Sequence, residues 1–289
     1  MAGISVFQAG AVTPVVQDWV DRVKRNNGDT APSSSTVIAA NHFHKTLIVY
    51  DLVTKIHSCN FFDSLNLSAS WTPFLNGTTA SIWYASPNWS ASDISINGLQ
   101  GSNTGASGNA LGKYLGTGII PSQFSSMTSS HLVVYFSGSA ESDGNMGCSD
   151  SGTSQLRLYA NYPVAANTTQ SLFFSGTGTN TLGTLVPQTF SGYIMGTRGN
   201  IEPVTTMSIF AASSTVTHSR IGTSTITAGT TPTTRTMFVF TTNESGNAST
   251  KNRHLMSFVS CGQAMNFSQS FWYHEAILQL RKEMGGGYY

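Results

Sequence analysis

Charge is scarce in this sequence: 9% of its 289 residues are Asp, Glu, Lys or Arg, 14 basic against 13 acidic, for a net charge of +1. Globular chains usually carry about 25% charged residues. With so few cations spread along the chain, the phosphate neutralisation that nucleic-acid binding needs is not available. A long exposed helical array is excluded as well, because it requires Ala, Glu, Lys, Leu and Arg in quantity. Cysteine is equally sparse. Cys59, Cys148 and Cys261 lie far apart without metal-ligand spacing, and their odd number argues against a closed disulfide framework. Buried free thiols are the expectation. No run approaches the ~18 apolar residues of a membrane span. Met1–Ser5 shows no basic leader followed by an apolar stretch, so a soluble, unprocessed chain is expected. A Gly-x-Ser-x-Gly nucleophile elbow and a phosphate loop are missing too, although Ser and Gly are plentiful.

What the chain has instead is hydroxyls, amides and bare backbone: 40 Ser, 35 Thr, 28 Gly and 19 Asn. Its 39% hydrophobic and 11% aromatic residues are enough for a real core, which excludes wholesale disorder. Seven Asn-x-Ser/Thr sequons (Asn66, Asn76, Asn88, Asn167, Asn243, Asn247, Asn266) are close to the roughly five that this composition produces by chance, so they carry no argument for secretion.

The first segment opens on Thr13-Pro14, a capping residue followed by proline where the missing N–H is harmless. Val16, Trp19, Val20 and Val23 then form one apolar stripe, and Lys24-Arg25 precede the stop at Asn26-Asn27-Gly28. Ser33-Ser34-Ser35 caps a second helix with Val37, Ala40, His44, Leu47 and Ile48 on one face. Apolar density persists through Leu52, Ile56 and Phe61-Phe62, so residues 13–62 are expected to be a helical element packed on the rest of the chain. From about residue 65, short apolar runs alternate with Ser, Thr, Gly, Asn and Pro, the texture of an antiparallel sandwich. The expected strands are Ser81–Ala85, His131–Ser137, Gln155–Asn161, Ser171–Ser175, Phe190–Met195, Met207–Ala212, Thr236–Thr241 and His254–Ser260. Leu132–Phe136 and Met237–Phe240 are apolar on both faces and read as central strands. Thr215–Thr236 reads as an exposed edge hairpin. Tyr273, Ile277, Leu280 and Met284 mark a closing amphipathic helix, ended by Gly285-Gly286-Gly287. The expected fold is mainly β, an antiparallel jelly-roll sandwich with N-terminal helices and a C-terminal amphipathic helix. Its parts are an arm over 1–12, the helical element over 13–62, the sandwich over 63–266, and a helix and tail over 267–289.

Thirteen carboxylates make the search for acid–base chemistry short. Glu141 and Asp143 have i, i+2 spacing, but no third acid joins them, and the stretch from Asp143 to Asp150 reads as a solvated hairpin turn without calcium-loop spacing. His42 and His44 sit on different faces of one helix and cannot chelate one metal from it. His57, His131, His218, His254 and His274 are isolated and read as structural. No catalytic residue, metal site or cofactor is expected. Aromatic residues alone have a binding character: Trp71, Trp83, Tyr84 and Trp89 cluster, and aromatic faces stack on sugar rings or cover partners. At least one of Trp83 and Tyr84 must point inward from a strand. Trp89, within Ser86-Pro87-Asn88-Trp89-Ser90, is the better surface candidate. Trp89, Trp83 and Tyr84 are thus the expected ligand contacts.

In order along the chain come Phe43-His44-Lys45-Thr46-Leu47, Asp51-Leu52-Val53-Thr54-Lys55-Ile56, Asp63-Ser64-Leu65-Asn66, Trp89-Ser90-Ala91-Ser92-Asp93, Gly98-Leu99-Gln100-Gly101, Lys113-Tyr114-Leu115-Gly116-Thr117-Gly118 and His131-Leu132-Val133-Val134-Tyr135. The closing segment runs through Val239-Phe240 and Asn252-Arg253-His254 into a helix with Phe271, Ile277 and Leu280. This order, over about residues 14–284, resembles a family of tailed-bacteriophage structural proteins: tail-fibre or virion proteins with a laminin-G-like, concanavalin A-like jelly roll. One departure is the segment Gly101–Asn109, which inserts extra Gly, Ser and Asn. The resemblance implies a non-enzymatic virion component (tail fibre, tail-associated protein or capsid decoration) assembled in the host cytoplasm. Its partners would be other virion proteins and copies of itself. The alternative is a lectin-like protein that binds a host surface glycan.

Overall fold

The structure, a computed structural model, describes residues 11–62, 67–77, 82–86, 89–95, 98–101, 113–124, 128–137, 145–150, 154–165, 168–176, 185–187, 190–199, 206–225, 233–251 and 254–286. The arm at its first ten residues, the Glu141–Asp143 pair and most of the Gly101–Asn109 insertion lie outside them. In chain order the elements are α1 (Pro14–Asn26), α2 (Ser34–Val49), β1 (Ile56–Phe61), α3 (Leu67–Ser70), β2 (Tyr84–Ala85), β3 (Ile94–Ser95), β4 (Gly98–Gln100), β5 (Leu115–Gly116), β6 (Ser130–Ser137), β7 (Met146–Asp150) and β8 (Ser154–Ala165). There follow β9 (Thr168–Gly176), β10 (Leu185–Pro187), β11 (Gly192–Arg198), β12 (Thr206–Ala212), β13 (Ser219–Thr225), β14 (Phe238–Val239), β15 (Thr241–Glu244), β16 (Asn247–Lys251), β17 (Leu255–Gly262) and α4 (Phe267–Glu283).

Two sheets face each other as a jelly-roll β-sandwich. The first runs β13-β12-β11-β6-β17-β4-β3, with β1 also paired to β17. The second runs β10-β9-β8-β7-β14-β5-β2, with β15 joining β7 as its one parallel neighbour among the described residues. Between them lies one core, to which β6 contributes Leu132, Val134 and Phe136, and the second sheet contributes Leu115, Met146, Leu156, Leu158 and Val239. A second core covers the other face of the first sheet, where Val133, Tyr135, Tyr193, Met195, Phe210 and Phe258 meet the helices. Alternate residues of β6 therefore serve two cores, which is why its sequence is apolar throughout. Phe43 of α2 stands at the centre of the helical layer, in ring contact with Phe74, Phe258 and Tyr273.

Local signals explain the helices. Pro14 opens α1, whose stripe of Val16, Trp19, Val20 and Val23 is buried, and Arg22 ties it down by donating to the carbonyls of Pro73 and Phe74. Ser33 caps α2 by accepting from the Thr36 N–H, and Asn266 caps α4 by accepting from the Gln269 N–H. His42 of α2 pairs with Glu283 of α4 at 2.9 Å.

Several expectations fail for identifiable reasons. The helical element does not reach residue 62: Ile56–Phe61 is a strand, held by an antiparallel register against β17. On α2 the buried face includes Phe43, whereas Ile48 is 55% exposed. Met146–Asp150 is not a solvated turn but a strand of the second sheet, with Met146 and Cys148 in the core. The stretch Thr236–Thr241 breaks at Phe240, whose φ of +69° turns its ring into the core. Of the Thr215–Thr236 segment, Ser219–Thr225 forms an edge strand on β12, and the rest of the expected hairpin at residues 226–232 lies outside the described residues.

Candidate binding face

The helices cover the first sheet, and the outward face of the second sheet carries its own pattern. Register fixes it. Tyr84 of β2 lies opposite Gly116 of β5, Gly116 opposite Phe238 of β14, Phe238 opposite Gly147 of β7, and Gly147 opposite Arg157 of β8. The neighbouring row, Ala85, Leu115, Val239, Met146 and Leu158, points into the core. Successive residues of a strand point to opposite faces, so the first row points out. At the usual strand spacing it spans about 19 Å.

Along this row the rings of Tyr84 and Phe238 flank Gly116: a Cβ there would sit 3.5 Å from the Phe238 ring and 3.7 Å from the Tyr84 Cβ. Glycine thus lets two large side chains approach across one strand. Tyr114, just before β5, stacks on Phe238 at 4.8 Å between centroids and lies 6.5 Å from Tyr84. Tyr84 is 64% exposed, while Tyr114 and Phe238 are half-buried. Burial raises the Tyr114 phenol pKa, with a smaller contribution from neighbouring Tyr84, so it stays a neutral donor and acceptor.

Beyond Gly147 the row becomes polar. Arg157 ion-pairs with Glu244 and bonds the Gln155 side-chain oxygen and the Tyr159 hydroxyl. Bonded guanidinium, carboxylate and amide groups in one cluster are oriented donors and acceptors. Two further carboxylates, Asp93 and Asp150, are likewise engaged. Burial pushes the Asp93 pKa up, but hydrogen bonds from Lys113 and Ser90 more than offset it and hold the carboxyl below its ordinary value. Asp150 behaves in the same way, its burial outweighed by the Thr234 N–H, Thr233 and Arg235.

The three aromatic residues expected from the sequence are separated by this arrangement. Trp83 is 2% exposed and belongs to the core, so it has no face left for a ligand. Trp89 is half-buried: its ring meets Phe240 edge-on at 5.3 Å and Lys113 lies over it at 5.9 Å. Its indole N–H donates to the Tyr114 carbonyl at 3.2 Å, which makes it a support under the aromatic face. Tyr84 alone of the three is open. Tyr114, Phe238 and Arg157 carry no local sequence signal, because only the register of strands distant in sequence brings them together.

Two of the histidines, His131 and His254, are structural in their placement. His131 lies between the Gln263 carbonyl and the Ser260 hydroxyl, and His254 meets the Asn145 amide. Among the described residues no group of three or more His, Cys, Asp or Glu is placed to hold a metal. No described helix is long and apolar enough to cross a membrane. All three cysteines are free and buried.

No family model matches the chain, and no curated protein matches it. Among solved structures it is similar to the CBM40 of the Ruminococcus gnavus IT-sialidase, at 11% identity over 67% of this chain and 92% of that one, with a TM-score of 0.35. It is also similar to domain 4 of AbnA, a GH43 extracellular arabinanase of Geobacillus stearothermophilus solved with arabinotriose, at 12% identity over 76% and 98% of the two chains and a TM-score of 0.39. A Trypanosoma rangeli sialidase mutant displaying trans-sialidase activity aligns at 13% identity over 55% of this chain and 23% of that one, with a TM-score of 0.34. At such scores the sandwich assignment stands on the two sheets themselves.

Proposed function

We propose that this protein binds a carbohydrate chain, without transforming it, on the outward face of its second sheet. The observation that carries the reading is the row from Tyr84 through Phe238 to Arg157, three strands of aromatic surface continued by a bonded guanidinium and carboxylate. A pyranose offers an apolar face and a rim of hydroxyls. Aromatic rings receive the first, and oriented charged and amide groups receive the second. An extended row on an open sheet suits several consecutive sugar units better than a single one. Binding is the reading we prefer to turnover, since Asp93, Asp150 and Glu244 are each tied to a cation.

The test is glycan-array screening of the intact protein, followed by calorimetry on the best hit. Tyr84→Ala should abolish measurable binding while leaving the thermal unfolding curve in place, since the ring is mostly solvent-exposed. Binding retained at wild-type strength in both Tyr84→Ala and Phe238→Ala would remove this face from consideration.

A second reading is that the sandwich is carried on a bacteriophage particle, held by other virion proteins and by copies of itself. It is supported by the order of segments from Phe43 to Leu280 and by Ile38, Ile48 and Val49, which stand exposed on α2 at 49%, 55% and 61%. Residues 1–12 would be its anchoring arm. Their deletion should leave the fold intact and stop incorporation into particles, and incorporation that persists would count against the arm.

A further inference from the structure

The helical layer has an outer surface of its own, on the side of the molecule away from the second sheet. α2 is the middle helix of that layer. On one flank Asn41 accepts from the Thr13 N–H at the start of α1, and on the other His42 bonds Glu283 of α4. Phe43 and Leu47 point into the core beneath. On the opposite side Ile38, His42, Lys45 and Val49 follow at i, i+4, i+7 and i+11, one stripe along the helix with Ile48 beside it. Ile38, Ile48 and Val49 are exposed. The stacked, half-buried rings of Tyr50 and Trp272 continue this apolar surface onto α4. A helix that is apolar all round is normally enclosed, and α2 is enclosed on every side but this one.

Two observations indicate what closes it. The stripe has apolar ends and a polar middle, so it reads alike in both directions. With two copies of α2 antiparallel about a twofold axis, Ile38 of each lies against Val49 of the other. The same register sets Lys45 of each copy opposite His42 of the other, and this is where the charges match. His42 holds Glu283 at 2.9 Å from its Nδ1 to one carboxylate oxygen, while the other oxygen accepts from the Gln279 amide. Lys45 enters no ion pair among the described residues. One arrangement therefore covers the apolar ends and brings each ammonium to a carboxylate, twice over, as a twofold contact requires. From Ile38 to Val49 it spans ~16 Å of helix.

We infer that a second copy of this chain covers α2, in a twofold dimer whose axis passes between His42 and Lys45 and in which Lys45 of each copy meets Glu283 of the other. Three exposed apolar side chains from each copy make a small contact, so the dimer is a weak one, with a Kd of ~1–100 µM. The inference stands on α2 and α4 and needs neither the carbohydrate face nor a particle. Its consequence for function does rest on the carbohydrate reading: the proposed face lies across the sandwich from α2, so a dimer holds two such faces pointing apart and links two separate glycan chains.

The experiment is sedimentation velocity on the full chain from about 1 to about 300 µM. A concentration-dependent passage from monomer to dimer is expected. Val49→Asp, at an exposed position, should weaken the dimer at least about ten-fold with the thermal unfolding curve in place. Lys45→Glu and Glu283→Lys each set like charges against each other, and each should weaken self-association by at least about ten-fold. Mixed in equal amounts, these two variants should associate with each other, because both contacts then join opposite charges. Such recovery arises only between copies, which separates it from any change within one chain. A chain that is monomeric throughout the range, a dimer as strong in Val49→Asp, or charge variants that do not associate on mixing would each overturn the proposal. Dimerisation that appears only after removal of residues 1–10 would assign this surface to the start of the same chain and overturn it as well.

Discussion

The histidine at the heart of the first sheet makes acid sensitivity calculable. His131 is fully buried on β6, with Nδ1 2.6 Å from the Gln263 carbonyl oxygen and Nε2 2.9 Å from the Ser260 hydroxyl. A neutral ring satisfies both contacts, since Nδ1–H donates to the carbonyl and Nε2 accepts from the hydroxyl. Burial lowers its pKa from 6.5 to about 4, and the Gln263 carbonyl opposes only part of that fall. In the unfolded chain the ring titrates near 6.5. Below that pH the unfolded state takes up a proton that the folded state refuses. The stability contribution is therefore complete above pH 6.5 and disappears progressively as the pH falls to about 4. That gap, at about 1.4 kcal/mol for each pH unit, amounts to about 3 kcal/mol, with about 2 kcal/mol already lost at pH 5. Domains of this kind have only ~5–15 kcal/mol in total. Urea unfolding followed by tryptophan fluorescence at pH 7, 6, 5 and 4.5 measures the loss. His131→Gln should be less stable at pH 7 but show a pH dependence shallower by that amount. His218, lowered to about 4 by burial and by neighbouring His274, titrates in the same window and should supply part of the dependence that remains, with His44 and His57, both lowered by burial, contributing in the same direction. Equal slopes in the variant and the wild type, or a His131 ring signal titrating near 6.5, would refute the reasoning.

Two further predictions concern the core and the support of the binding face. Trp89→Phe keeps the packing against Phe240 but removes the N–H that holds the Tyr114 carbonyl. It should cost about 1 kcal/mol in stability and weaken carbohydrate binding by a few-fold, as read by unfolding and calorimetry. Burial raises the Cys59 thiol pKa to about 12 and carries Cys148 and Cys261 still higher. The folded protein at pH 8 should therefore leave a thiol reagent unconsumed, and urea should release three reactive thiols. Rapid labelling of the native protein would contradict the burial of all three.

Where a signal is local, the amino-acid order is sufficient. Thr13-Pro14 and the stripe Val16, Trp19, Val20, Val23 specify α1, and the spacing of Tyr273, Ile277 and Leu280 specifies α4, because 3.6-residue periodicity and capping act within a few turns. The doubly apolar run Leu132–Phe136 likewise marks a strand covered on both sides. Met237–Phe240 carries the same pattern with a different outcome. Its sheet has the core on one side, so Phe238 faces outward, and the turn at Phe240 sends a second ring inward. β1 and β7 depart from their sequence signals for related reasons. Ile56–Phe61 continues the apolar density of the helices, and Asn145-Met146-Gly147 has the composition of a turn although Gly147 sits inside a ladder.

Composition and short-range pattern thus determined a charge-poor β-sandwich with helices at both ends. Tertiary structure decided which aromatic residues meet. Tyr84, Gly116, Phe238 and Arg157 are far apart in sequence, and only strand register places them in one row. Register depends on burying the alternate row in a shared core, a condition that no single segment contains.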